Sequence, residues 1–163
     1  MFKKISLSLV LGLFSTVINA NSNIRYDLLL LKKAYKETNI STYHLTNSES
    51  CLAKNIYFEA RGTSLDEQFL VGIVTITRAM SNLKNFTNTI CSVVAQKNQF
   101  SWYKKNTPKI IEKNSWKTAV KVTKILLKYK FNSTLKYFHK RGERPIWSRQ
   151  MRPIYTGLYH YFY

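Results

Sequence analysis

The chain has 163 residues, with 26 Lys and Arg against 8 Asp and Glu, a formal net charge of +18 and 14% aromatic residues. That length suits one domain with a proper hydrophobic core, and the aromatic content excludes a disordered tail. Five glycines and three prolines exclude collagen-like and Pro-rich architectures, and no stretch repeats at a solenoid period.

Residues 1–20 read as an export signal. Lys3 and Lys4 precede an uncharged, mostly apolar run from Ile5 to Ile18, and Ala20 suits the position before a cleavage site. The run is about 14 residues, short of the roughly 20 that span a bilayer as a helix. An uncleaved anchor or a buried helix stays open as the alternative. Residues 21–46 read as an N-terminal extension. A helix is expected from Tyr26 to Glu37 with Leu28 to Leu31 as its apolar core, followed by a polar linker around Asn39–Ser48. An exported chain works in an oxidising compartment, where its only two cysteines, Cys51 and Cys91, are expected to pair; two buried free thiols are the alternative.

Residues 47–163 read as the main domain. Asn47 or Ser48 caps a helix running through Cys51, Leu52, Ile56 and Tyr57 to Arg61, with Gly62 just past its end. Ser64 and Glu67 form the capping box of the next helix, whose apolar face is Leu65, Phe69, Ile73, Ile76 and Met80. A short helix is expected from Asn88 to Ala95, capped by Thr87 and turning Ile90, Val93 and Val94 inward. Gln99 to Tyr103 is an irregular aromatic segment. A helix after Ser115 is amphipathic, with Ala119, Val122, Ile125, Leu126 and Tyr129 on one face and Lys117, Lys121, Lys124 and Lys128 on the other. Leu135–Phe138 and Tyr159–Tyr163 read as two short strands. The fold class is therefore α+β, mainly α, with a small β element.

Carboxylates are scarce, so each can be weighed. Asp27 and Glu37 lie on the extension; Glu49, Asp66 and Glu67 sit in first helical turns; Glu112 and Glu143 lie in polar, basic stretches. Glu59 stands near the C-terminal end of its helix, where the helix dipole disfavours an anion and aromatic neighbours add desolvation. Both effects hold a proton on the carboxyl, ready for donation, and Arg61 opposes them if it folds back. On position alone, a surface glutamate stays open. The positive charge points to an anionic partner or to a solvated, Lys-rich surface; the export signal argues against nucleic acid, and an interfacial membrane helix is the sharper alternative. His44, His139 and His160 are scattered without tight metal-ligand spacing, so no metal and no cofactor are expected.

Several segments resemble a known family. Cys51-Leu52-Ala53-Lys54-Asn55-Ile56-Tyr57-Phe58-Glu59-Ala60-Arg61-Gly62 resembles the opening motif of SleB/CwlJ-type cell wall hydrolases. Val71 to Arg78 is similar to that family's next helix, with Thr77 in place of its usual Asn. Ile90-Cys91-Ser92-Val93-Val94, Gln99-Phe100-Ser101-Trp102, Tyr137-Phe138-His139 through Pro145-Ile146-Trp147, and Gly157-Leu158-Tyr159-His160-Tyr161-Phe162-Tyr163 resemble further family elements. The stretch Lys140–Arg144 is more basic than the pattern. The resemblance implies a reduced lysozyme-like, lytic transglycosylase-like single domain that acts on peptidoglycan. It implies Glu59 as the single acid and base, cleaving the MurNAc–GlcNAc bond. It further implies Gln99, Ser101 and His139 as polar groups on the substrate, Phe100 and Trp102 as sugar-stacking rings, and Tyr57 beside the acid or in the cleft; core packing of the rings, and buried structural roles for His139 and His160, stay open as the alternatives. The chain is expected to act as a monomer in the periplasm or cell wall, touching membrane only through its signal or weak surface contact. An amidase acting on the stem peptide, and a non-catalytic basic wall- or membrane-binding protein, are the alternatives.

Overall fold

The computed structural model describes residues 23–40, 44–81, 83–104, 106–129 and 133–163, so the expected export signal lies outside the described residues. Among them the chain forms five α-helices: α1 (23–37), α2 (Asn47–Ala60), α3 (Leu65–Met80), α4 (Ile90–Ala95) and α5 (Lys113–Lys128). A small sheet follows, made of β1 (Phe138–Lys140), β2 (Tyr155–Thr156) and β3 (His160–Phe162), with a 3-10 turn at Ile146–Gln150 between β1 and β2. The strand order is β1-β3-β2 and both pairings are antiparallel, Phe138 and Tyr155 each facing Phe162. This is the α+β, mainly helical class that the periodicities predict.

The core is built by α2 packing on α3 and α5. Leu52 and Ile56 meet Phe69, Leu70 and Ile73 of α3, and Val122 and Leu126 of α5, all essentially inaccessible to solvent. Gly72 lies at the closest approach: a Cβ there would overlap Leu126 Cδ1 and come within 3.0 Å of Ile56 Cδ1. Helix α1 adds Ile24, Leu28, Leu31 and Ala34 to the same core. Its spacing of 3 and 4 turns Leu29 and Leu30 outward, 62% and 47% exposed, so the four-leucine run is not one buried block.

Local chemistry sets the helix ends. The capping box of α3 forms as expected, Ser64 and Glu67 bonding reciprocally. The α2 cap is Thr46, not Asn47 or Ser48, because only Thr46 has a glutamate at N3: Glu49 N donates to Thr46 Oγ1 at 3.3 Å, and Thr46 N donates to Glu49 Oε2 at 2.8 Å. For the same reason α4 starts later than the sequence suggests, capped by Thr89 with Ser92 at N3. Helix α5 begins at Lys113, and Ser115 lies inside it, donating to Glu112 Oε2. Met80 and Tyr129, expected on apolar faces, are 72% and 45% exposed at helix ends where the core has run out. Strand β1 is labelled two to three residues later than expected, although Lys136 N still donates to Tyr163 O.

Glu67 ties the helical layer to the sheet. Its side chain is fully buried, and Oε1 accepts from Tyr159 N at 2.9 Å, His160 N at 3.0 Å and His160 Nδ1 at 3.3 Å. A buried carboxylate is tolerable only with donors of this kind. Gly157 sits directly against it; a Cβ there would lie 2.6 Å from the Glu67 Cδ. Gly157→Ala is therefore expected to displace the carboxylate from its donors and lower stability by about 1–3 kcal/mol, read as a fall in the urea midpoint at unchanged slope.

Candidate functional site

One stripe of α2 organises the site. Cys51, Asn55 and Glu59 recur at a spacing of four and so line one side of the helix. Cys51 is disulfide-bonded to Cys91 of α4, with a Cα–Cα distance of 5.2 Å. Asn55 is completely buried: its Nδ2 donates to Thr75 Oγ1 at 2.9 Å and its Oδ1 accepts from Trp102 Nε1 at 3.1 Å. Thr75 in turn donates to Val71 O at 2.8 Å. This network pins the Gln99–Trp102 turn against α2. Asn55→Ala strands the buried Trp102 Nε1 and is expected to cost about 1–3 kcal/mol, with loss of protection at residues 99–102 in hydrogen exchange.

Glu59 comes next on the stripe, in the last turn of α2, where no basic residue stands. Desolvation pushes its carboxyl up to about 7; Glu143 adds to the rise, while Lys140 and Arg78 oppose it. Arg61 does not fold back to neutralise it. Its Nε pairs with Glu112 Oε1 at 3.0 Å and its guanidinium lies 5.0 Å from the Tyr57 ring centroid.

Two open lobes meet at Glu59 and Lys140. One, of about 480 Å³, is bounded by Phe58, Arg61, the Lys140–Gly142 turn, Leu158, Tyr159 and His160. The other, of about 390 Å³, is bounded by Arg78, Asn98 to Ser101, Phe138, His139 and Glu143. Together they form a groove passing over the carboxyl on both sides, the shape an extended polymer needs. A larger concavity of about 560 Å³ lies between α1 and β2, but its acid, Asp66, is already engaged by Lys32 at 3.0 Å and by the Tyr155 hydroxyl at 3.3 Å.

Of the residues expected at the site, Glu59, Gln99, Phe100, Ser101 and His139 line the groove. Gln99 Oε1 accepts from Arg78 Nη1 at 3.2 Å, and Arg78, 5% exposed, also donates from Nε to Lys136 O at 2.6 Å. Arg78 thus holds Gln99 in place; its position after Thr77 in the family-like helix was the available signal. Asn98 adopts φ +64, the left-handed region that Asn tolerates, to aim the turn. His139 donates from Nδ1 to Lys140 O at 2.8 Å, which leaves Nε2 to accept from the Tyr163 hydroxyl at 3.0 Å.

The rings of Tyr57, Phe100 and Trp102 are buried. Tyr57 is 1% exposed and is not among the residues of either lobe; its hydroxyl accepts from Ile111 N and Glu112 N. Trp102 stacks on Phe58 at 4.7 Å, and with Phe100 it belongs to a small core cluster with Val93 and Val94. The exposed platform of the groove is instead Leu158 and Tyr159, 73% and 53% exposed, which sequence reading passed over although both lie in the family-like terminal motif. Burial pushes the His160 imidazole down, with Lys140 acting in the same direction and Glu67 opposing. Among the described residues, no three His, Cys, Asp or Glu side chains group as a metal ion requires, and no helix is long and apolar enough to cross a membrane.

These features define a small, mainly helical domain with a desolvated carboxylic acid at the centre of an open groove. The chain matches the Cell Wall Hydrolase family model over residues 62–163 and belongs to that SleB/CwlJ-type family. The match begins at Gly62, just after Glu59. No curated protein and no solved structure gives a significant match. Family membership makes this a cell wall hydrolase, with peptidoglycan as its substrate and action outside the cytoplasm.

Proposed function

We propose that the protein cleaves the glycan strand of peptidoglycan between MurNAc and GlcNAc as a lytic transglycosylase, with Glu59 as acid and then base. The observation that carries this reading is the Glu59 carboxyl, raised to about 7 and set where the two lobes meet. A carboxyl that is protonated at neutral pH can donate to the glycosidic oxygen, so the C1–O bond breaks with its electron pair leaving on that oxygen. The resulting carboxylate takes the proton of the MurNAc C6 hydroxyl as that oxygen bonds to C1 and closes a 1,6-anhydro ring. No water is consumed. Gln99 and Ser101 hydrogen-bond the sugar in one lobe, and Tyr159 faces a sugar in the other; their lining of the two lobes supports this reading. Residues 1–20 serve as the export signal, 21–46 as the extension, and 47–163 as the catalytic domain of a monomer.

The test is mass spectrometry of soluble products from purified peptidoglycan digested by the wild type and by Glu59→Gln. Anhydro-muropeptides from the wild type alone are expected. Reducing-end muropeptides would replace the hydroxyl by water as nucleophile, free stem peptides would mean an amidase, and unchanged products from Glu59→Gln would remove Glu59 from the reaction.

A further inference from the structure

The eight acids divide unevenly. Glu37, Glu49, Asp66 and Glu112 pair with Lys or Arg, and Glu67 is hydrogen-bonded to His160. The remaining three are Asp27 on α1, and Glu59 and Glu143, which line the same 390 Å³ lobe. Glu143 follows β1 in the turn closed by its own N–H donating to Lys140 O at 2.9 Å. Lys140, Arg141 and Arg144 are its immediate neighbours in a chain of net charge +18, yet no ion pair of Glu143 occurs among the described residues. An exposed carboxylate amid such charge would ordinarily pair on the surface; this one borders the groove instead.

We propose that Glu143 is the second carboxylate of the reaction: bordering the same lobe as Glu59, it stabilises the positive charge that develops on the sugar as Glu59 gives up its proton. The inference rests on Glu59 being the acid. As the C1–O bond breaks, charge accumulates at C1 and the ring oxygen, and a carboxylate in the same lobe favours that state over the uncharged ground state. Glu143 forms no bond and moves no proton. Its charge also opposes ionisation of Glu59 before the step, which acts in the same catalytic direction. The other charged or titratable groups lining the two lobes are Arg78 from α3, His139 and Lys140 from β1, Arg61 after α2, Arg141 in the turn, Tyr159 before β3 and His160 of β3. Two of these cations, Lys140 and Arg78, border the same lobe and act directly on Glu59, and would otherwise leave it hostile to a developing cation.

The experiment measures turnover against pH on a soluble glycan fragment for the full chain, Glu143→Gln, Glu143→Asp, Glu59→Gln and, as a remote control, Glu37→Gln. Glu143→Gln is expected to lower kcat roughly 10- to 100-fold even at pH values where Glu59 is fully protonated, with KM little changed. Its alkaline limb should move to lower pH, because removing the anion lets Glu59 ionise earlier. Glu143→Asp should recover part of the loss, and Glu37→Gln should match the wild type. A wild-type kcat and pH profile for Glu143→Gln, or a change in KM alone, overturns the proposal while leaving Glu59 as the acid. Retained activity in Glu59→Gln would instead overturn the reading beneath it.

Discussion

Glu59→Gln is expected to lower turnover by about three orders of magnitude while making the folded protein more stable at alkaline pH. General acid catalysis by a positioned side chain contributes about 10²–10⁴-fold. The amide has nearly the same shape but cannot deliver the proton, so the loss should appear in kcat with KM preserved. Activity of the wild type should be flat on the acid side of pH 7 and fall through it, because the carboxyl must be protonated to act. The stability effect has the opposite sign. The carboxyl titrates at about 7 in the folded chain against 4.5 for an ordinary glutamate. Below pH 4.5 both states hold the proton and the burial of Glu59 is free of charge. Between 4.5 and about 7 the unfolded chain ionises while the folded chain does not, so stability is lost as pH rises, by roughly 3 kcal/mol in full. Glu59→Gln has no proton to lose. Urea titrations should find the two proteins alike near pH 4 and the variant more stable near pH 8. Equal stability at both pH values would mean that the site is wetter than its lining suggests.

Much of this site was legible because its determinants are local. The Ser64–Glu67 box, the left-handed Gly62 (φ +80) and the single possible cysteine pairing follow from neighbours or from arithmetic. The Glu59 shift was not decided by sequence, because Arg61 could have folded back onto the carboxyl; burial raises it, and Arg61 turns to Glu112 instead. Tyr57 could have been excluded by helical geometry: at about 100° per residue, two positions along α2 put its ring on the far side from Glu59. Other features depend on contacts between distant parts of the chain. Glu67 reads as a cap, and its second role appears only when the Gly157–His160 turn folds back onto it. Strand β2 has two residues, too few for any alternation to show. Glu143 looks like one acid in a basic run until the turn after β1 brings it to the lobe that holds Glu59. The aromatic segment Gln99–Tyr103 carries both meanings at once, since burying Phe100 and Trp102 is what holds Gln99 and Ser101 at the groove.

Removing the Cys51–Cys91 bond, as Cys51→Ser with Cys91→Ser, is expected to cause the largest loss of stability of any change considered, roughly 4 kcal/mol for a loop of 40 residues in the chain-entropy account. The loss should be felt unevenly. Helix α4 has only six residues, and Val93 and Val94 pack in a satellite cluster with Phe100 and Trp102 rather than in the main core. So short a helix is not stable by itself. The disulfide at its start, the Asn55–Trp102 hydrogen bond and the Phe58–Trp102 stack fasten this wall of the groove to α2. Without the first, residues 90–102 should open before the α2–α3–α5 core melts, and activity should disappear at temperatures where the helical signal is intact. Hydrogen exchange should show faster exchange at 90–102 in the double variant, with α3 and α5 still protected. Uniform loss of protection across the chain would mean that the wall and the core unfold as one unit, and that the bond acts on the whole domain rather than on the groove.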